Sequence, residues 1–211
     1  MKQSTWNDLT MVLAQHAKKY PQMRPADAVK LIFQNEFGGG HMVADPEKAF
    51  AALCEELSGV KYCPSLPLLE EIGGGMVRIM LAGADQDVLL PEELNRDFVR
   101  SANSVHGDME RFQYKLGILR QLTGEGLFAF DSTELEDYLK DYISSGCPAV
   151  SHSQEYRNTY HPFYRVVVRK LSLIVMLEEI RTRCRGQKRV LVAIDGRCAS
   201  GKSTLASLLH E

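Results

Sequence analysis

Residues 196–204 are the part of this chain whose types and spacing are best suited to chemistry. They read Gly-Arg-Cys-Ala-Ser-Gly-Lys-Ser-Thr, which matches the G-x-x-x-x-G-K-S pattern of a Walker A phosphate-binding loop. Backbone N–H groups in such a loop point inward as a nest for an anion, and the following helix adds the positive end of its dipole. Lys202 is then placed to contact the β and γ phosphates of a nucleotide, and the Ser203 hydroxyl to ligate Mg²⁺.

The flanking sequence predicts the elements that would position this loop. The apolar residues 190–194 predict a strand before it, and residues 205–209 begin a helical pattern after it. A glycine-rich turn between a strand and a helix, with an incidental lysine, is the alternative interpretation. The residues that we expect to bind nucleotide are Gly196, Arg197, Cys198, Ala199, Ser200, Gly201, Lys202, Ser203 and Thr204.

The loop also resembles a known family. Residues 194–204 read Ile-Asp-Gly-Arg-Cys-Ala-Ser-Gly-Lys-Ser-Thr, which is similar to the nucleotide-binding loop of the uridine kinase-like branch of P-loop kinases. The resemblance covers about residues 188–211. It implies ATP with Mg²⁺ as the phosphoryl donor, a nucleoside or similar small hydroxyl compound as the acceptor, and Lys202 as the catalytic cation.

Only the beginning of such a kinase domain is expected here. The sequence ends at Glu211, nine residues after Lys202, so residues 187–211 are predicted to hold the first β-loop-α unit of a truncated P-loop α/β domain. The Walker B carboxylate, the acid that activates the acceptor and the lid arginines of the family have no counterpart in the sequence. We therefore expect these residues alone to be inactive as a kinase. The alternative is a non-enzymatic helical domain that binds a ligand or partner and carries a vestigial phosphate loop.

Composition excludes several other classes of function. The chain has 211 residues, 45% of them hydrophobic, and a formal net charge of -2, which leaves no electrostatic footprint for nucleic acid. No apolar run approaches the roughly 18 residues that span a bilayer. The five cysteines include no C-x-x-C pair, and no secretory signal precedes them, so we expect reduced thiols and a cytoplasmic location.

Residues 1–186 are predicted to form a mainly helical domain with one short strand or hairpin. We place the strand at residues 76–81, after the triple glycine 73–75. These glycines predict a plain turn into the strand, and the alternative is a point where a neighbouring backbone comes close. Residues 147–162 are expected to be irregular, with one helical turn near Glu155. Apolar spacing and capping residues predict helices at residues 5–20, 25–37, 46–57, 91–104, 108–122, 132–144 and 163–185.

Polar residues in two segments suggest a second site. One segment surrounds the triple glycine 38–40, and the other is residues 151–165. The candidate members of this site are Glu36, His41, His152, Arg157, His161 and Arg165. Glu36 and His41 flank the glycines 38–40 and could act as acid and base, while Arg157 and Arg165 suit a phosphate or carboxylate. Convergence of the histidines with Glu36 would make a metal site. The alternatives are a helix end with an incidental histidine, and a hydrogen-bonded loop that docks on the last long helix.

Overall fold

The structure is a computed structural model that describes residues 2–40, 43 and 45–210. Most of these residues are helical, and none of the described helices is long and apolar enough to cross a bilayer. The helices are α1 (Lys2–Lys19), α2 (Pro25–Phe37), α3 (Pro46–Gly59), α4 (Pro91–Ser104), α5 (Met109–Gly124), α6 (Ser132–Ser144), α7 (Gln154–Tyr160), α8 (Ile174–Cys184) and α9 (Lys202–His210). The prediction of a mainly helical chain with a small amount of sheet is confirmed.

Three strands form one antiparallel sheet in the order β1-β2-β3. They are β1 (Leu69–Gly73), β2 (Met76–Met80) and β3 (Tyr164–Val168). A tight hairpin joins β1 to β2, whereas β3 pairs with β2 from far along the chain, with Ile79 opposite Arg165. The predicted strand at residues 76–81 therefore corresponds to the central strand of the sheet.

Local signals set the boundaries of several helices. The bounds of α2, α4 and α6 agree with the prediction, and α2 and α4 each have a proline in the first turn, where no intrahelical N–H is required. Asp45 caps α3, because its Oδ1 accepts hydrogen bonds from the N–H groups of Glu47 at 3.1 Å and Lys48 at 3.2 Å.

The predicted helix at residues 163–185 is wrong over its first half. Residues 164–168 form β3, a short 3₁₀ turn follows at Arg169–Leu171, and only residues 174–184 are helical. The physical reason is the composition Tyr-Arg-Val-Val-Val, since β-branched and aromatic side chains pack well on a pleated sheet and lose rotamer freedom in a helix. Pairing with β2 then satisfies the backbone groups of this segment.

The predicted strand at residues 190–194 is also wrong. These residues have no regular structure, and Leu191 is 82% exposed. A strand obtains its hydrogen bonds from a neighbouring strand, and no described strand pairs with this segment. Of the expected β-loop-α unit, only the helix after the loop is formed, as α9.

Two apolar cores lie on opposite faces of the sheet. The first packs α1, α2, α5 and α6 against Met76 and Val166, and the second packs α3, α4 and α8 against Val77 and Val167. Alternation along β2 and β3 sends successive side chains to opposite faces, so one short sheet organises both cores.

The β1–β2 hairpin depends on the triple glycine at residues 73–75. All three glycines have positive φ, at +74°, +64° and +76°. The Gly74 N–H donates to Asp8 Oδ2 at 2.8 Å, and a Cβ at Gly74 would lie 2.9 Å from the backbone oxygen of Asn35. These glycines therefore form the turn into β2, and the backbone of α2 also comes close to them.

We expect Gly74→Ala to destabilise the fold more than Gly75→Ala. Both substitutions place a side chain at positive φ, which costs roughly 1–2 kcal/mol. Only Gly74→Ala also pushes against the Asn35 backbone, since a Cβ at Gly75 would meet nothing within 4 Å. Urea unfolding of the two variants measures the difference, and equal losses of unfolding free energy would contradict this account of the hairpin.

Candidate functional site

The phosphate-loop residues lead directly into α9. Lys202 is the first residue of that helix, and the Leu205 N–H donates to the Gly201 oxygen at 2.9 Å. The chain turns through positive φ at Ala199 (58°) and Gly201 (82°), and residues 196–201 are exposed. The loop therefore lies at the amino end of a helix and is open to solvent.

The Lys202 side chain folds back over this loop. Its Nζ donates to the oxygens of Gly196 at 2.7 Å and Arg197 at 2.8 Å. Asp195 Oδ1 accepts from the Gly196 N–H at 2.7 Å. Ser203 and Thr204 lie exposed in the first turn of α9. The ammonium group is thus bonded to carbonyl oxygens of the loop itself.

A buried polar network forms the second candidate site. The Asp27 carboxylate accepts hydrogen bonds from His152 Nδ1 at 2.8 Å, from the Ser153 hydroxyl at 2.6 Å and from the backbone N–H groups of Ser153 and Arg24 at 3.0 Å each. An ionised carboxylate only accepts, so His152 Nδ1 carries the proton and its Nε2 accepts from the Tyr164 hydroxyl at 2.6 Å. Asp27, α7 and β3 are joined by this chain of bonds.

The network continues into the centre of the sheet. Gln34 Nε2 donates to the Tyr164 hydroxyl at 3.2 Å, and its Oε1 accepts from Arg78 Nε at 3.0 Å and Nη2 at 2.8 Å. Arg78 Nη1 then donates to Glu70 Oε2 at 3.0 Å. Each of these side chains is thereby held in one orientation.

Burial sets the protonation states of the network. It lowers the pKa of His152 to about 4, although the hydrogen bond to Asp27 acts in the opposite direction. Burial also raises the pKa of Tyr164. The carboxyl of Asp27 is itself buried, but the bonds from His152 and Ser153 keep its pKa below the usual value. At neutral pH, His152 is therefore uncharged and Tyr164 protonated, and the hydrogen bonds fix the orientation of both rings.

A cavity of about 230 Å³ lies at the edge of β3 and is called the β3-edge cavity here. Tyr164, Arg165 and Val166 of β3 line it. Its titratable and amide side chains, besides Tyr164, are Lys30, Gln34, Glu56, His152, Arg157 and Arg165. The cavity thus combines cationic, neutral polar and aromatic groups around a pre-formed space.

The structure brings together three of the six residues predicted for the second site. His152, Arg157 and Arg165 all line the β3-edge cavity. His161 is exposed at the end of α7, with φ of 45°, and is not among the cavity's lining residues. His41 lies outside the described residues.

Glu36 lies in a different place and has a different role. Its carboxylate accepts from Arg111 Nη2 at 2.7 Å, from Lys115 Nζ at 2.7 Å and from the Asp108 N–H at 2.7 Å. Burial alone would raise the pKa of Glu36, but these partners lower it. Glu36 therefore holds α2 against α5. Within the described part of the chain, no group of three or more His, Cys, Asp or Glu side chains could hold a metal ion.

The sequence prediction missed Asp27, Lys30 and Gln34 of α2. They lie at spacings of three and four on a helix whose other buried residues are largely apolar. Three polar residues on one stripe of a helix are a signal that could have identified them. Tyr164 was hidden by the assignment of its segment to a helix.

Comparison with known proteins finds no matching family model, curated protein or solved structure. What the chain does therefore has to follow from the geometry of the phosphate loop and of the β3-edge cavity. The first has a recognisable motif and the second a distinctive set of charges.

We expect the unfolding free energy to fall as the pH is lowered from 6.5 towards 4. In this range the unfolded chain takes up a proton at His152 that the folded chain does not accept, because the folded pKa is about 4 and the ordinary value 6.5. The slope from one such group approaches about 1.4 kcal/mol per pH unit. Urea unfolding at several pH values measures it.

His152→Asn is the matched variant, since an amide N–H can still bond to Asp27 but does not titrate here. Its unfolding free energy should depend less on pH than that of the unsubstituted protein. Burial also lowers the pKa of His16 to about 4, but His16 is present in both proteins and cancels from the comparison. Identical pH slopes would show that His152 is not held neutral by the fold.

Proposed function

We propose that residues 196–204 bind the phosphates of ATP with Mg²⁺, and that the chain is the nucleotide-binding portion of a small-molecule kinase. The observation that carries this proposal is the position of Lys202, whose Nζ bonds to the oxygens of Gly196 and Arg197. A lysine held at the centre of an exposed loop, at the start of a helix, is where a phosphate-binding cation is needed.

The present partners of Lys202 are weaker acceptors than the phosphates of a nucleotide. The two backbone oxygens carry partial charges, whereas phosphate oxygens carry full negative charge and form stronger, charge-assisted hydrogen bonds with an ammonium group. A nucleotide can therefore displace the loop carbonyls from Lys202. The first N–H groups of α9 have no intrahelical acceptor, so they add to the attraction for an anion.

The remaining roles follow the motif. Ser203 is exposed beside Lys202, where its hydroxyl would ligate Mg²⁺, and the ion would bridge the β and γ phosphates. The resemblance to uridine kinase-like proteins favours a nucleoside-like hydroxyl as the acceptor of the γ-phosphoryl group. Phosphoryl transfer depends on positioning and charge stabilisation, so transfer needs acceptor-binding elements in addition to this loop.

We expect Lys202→Ala to weaken the binding of Mg-ATP by about 10- to 100-fold. The substitution removes charge-assisted hydrogen bonds worth about 1.5–3 kcal/mol, and each 1.4 kcal/mol is a tenfold change in affinity. Isothermal titration calorimetry on the full 211-residue chain measures the effect. Lys140→Ala is the control, because it removes an exposed lysine of α6 that lies outside the loop.

Ser203→Ala tests the contribution of Mg²⁺ to binding separately from that of the nucleotide. It should reduce the affinity for Mg-ATP and leave the affinity for ATP in the presence of a chelator unchanged. If Lys202→Ala binds Mg-ATP as tightly as the unsubstituted chain, the phosphate-loop assignment is wrong.

A further inference from the structure

Arg165 is the most unusual side chain of the β3-edge cavity. It is only 3% exposed, and its Nη1 donates to Glu56 Oε2 at 2.8 Å and to the Tyr164 oxygen at 3.1 Å. Its Nε is buried and has no hydrogen-bond partner among the described residues. Leaving a buried donor unpaired is costly, and more so for a charged group. Arg165 also lines the cavity, so its guanidinium places a buried positive charge beside that space.

Two further cations share this cavity with Arg165. Lys30 is half-buried, and its ammonium group donates to the Val150 oxygen at 2.7 Å, which uses one of three N–H donors. Arg157 lines the cavity, is exposed, and donates to Gln154 Oε1 at 2.7 Å. Burial lowers the pKa of Lys30 to about 8, so the lysine is still mainly charged at pH 7.

The charge of the cavity is unbalanced. Three cationic side chains, Lys30, Arg157 and Arg165, face a single carboxylate, that of Glu56, among the residues that line it. The formal surplus is therefore two positive charges, since His152 is neutral. A dianion balances this surplus, and phosphate monoesters carry close to two negative charges at neutral pH.

The size and the remaining walls of the cavity restrict the ligand further. A space of about 230 Å³ is smaller than the roughly 300–1,000 Å³ of sites for drug-sized ligands. Phe98 and Phe163 add apolar surface beside the charges, and Gln34 and Ser151 add polar groups that suit hydroxyls. These features fit a compact polar molecule with one doubly charged end.

We propose that the β3-edge cavity binds a small phosphate monoester, with Arg165, Arg157 and Lys30 around the phosphate. This site is separate from the phosphate loop and does not depend on the function proposed for that loop. The positive charges of Arg165, Arg157 and Lys30 would pair with the phosphate oxygens in the complex. The Asp27–His152–Tyr164 network holds the adjacent wall in place.

Calorimetric titration with ribose 5-phosphate, inorganic phosphate and ribose tests this proposal. All titrations use the full chain carrying Lys202→Ala, so that binding at the phosphate loop is weakened. Ribose 5-phosphate and inorganic phosphate should bind, and ribose should not. Adding Arg157→Gln should weaken the binding of ribose 5-phosphate by at least about tenfold, since it removes a charge-assisted contact from an exposed position.

Lys140→Gln is the matched control, because it removes one exposed positive charge from α6, away from the cavity. It should leave the affinity for ribose 5-phosphate unchanged. Arg165→Gln tests the buried cation directly and should abolish binding. Circular dichroism verifies that this variant is folded. If Arg165→Gln does not fold, Arg157→Gln is the test. The absence of binding by both phosphates, or equal losses in Arg157→Gln and Lys140→Gln, would overturn the proposal.

Discussion

The fold is built around a positive charge inside the sheet. Arg78 lies on the central strand and is 1% exposed, and such a charge persists in an interior only where other groups pair with it. Glu70 on β1 and Gln34 on α2 accept its hydrogen bonds, and the ring of Tyr164 on β3 lies 4.4 Å from its guanidinium carbon. Lys19 of α1 also reaches Glu70, at 2.5 Å. One cation therefore ties three strands to two helices, and each of these elements needs the others in register.

The hydrogen bonds around Arg78 also make the wall of the β3-edge cavity rigid. Tyr164 belongs both to the surroundings of Arg78 and to the bonds that lead through His152 to Asp27. Nearly every donor and acceptor in this series of hydrogen bonds is satisfied, so the cavity wall has little freedom to rearrange. Arg165, the neighbour of Tyr164, points to the other face of the strand, where it meets Glu56 of α3. The cavity therefore combines a fixed wall of hydrogen-bonded side chains with a surplus of cations among its lining residues, and this combination marks it as a place for an anionic ligand.

Local patterns predicted those parts of the fold that local chemistry determines. The helices that begin with a proline or after an aspartate cap, such as α2 and α3, were predicted nearly to their ends. The prediction of one short strand or hairpin gave no bounds for β1 and missed β3. The charged residues within these strands, Glu70 and Arg165, bond to Lys19 and Glu56, which are distant in sequence. Three of the candidate residues taken from the polar segment 151–165, namely His152, Arg157 and Arg165, line the β3-edge cavity. Sequence spacing could not show that the Glu36 carboxylate bonds to side chains of α5. Nor could it show that no described strand lies beside residues 190–194.

The uncovered segment before the phosphate loop has a consequence for the behaviour of the protein in solution. Residues 190–194 are uncharged, and most of them are β-branched residues or leucine. Leu191 and Val192 are both exposed, by 82% and 52%. A short run of this kind can pair with identical copies of itself and start aggregation. Lys188 and Arg189 precede the run and Asp195 follows it, in the flanking positions where charged residues act as gatekeepers. The colloidal stability of the chain is therefore expected to depend on these three charges and on the ionic strength that screens them.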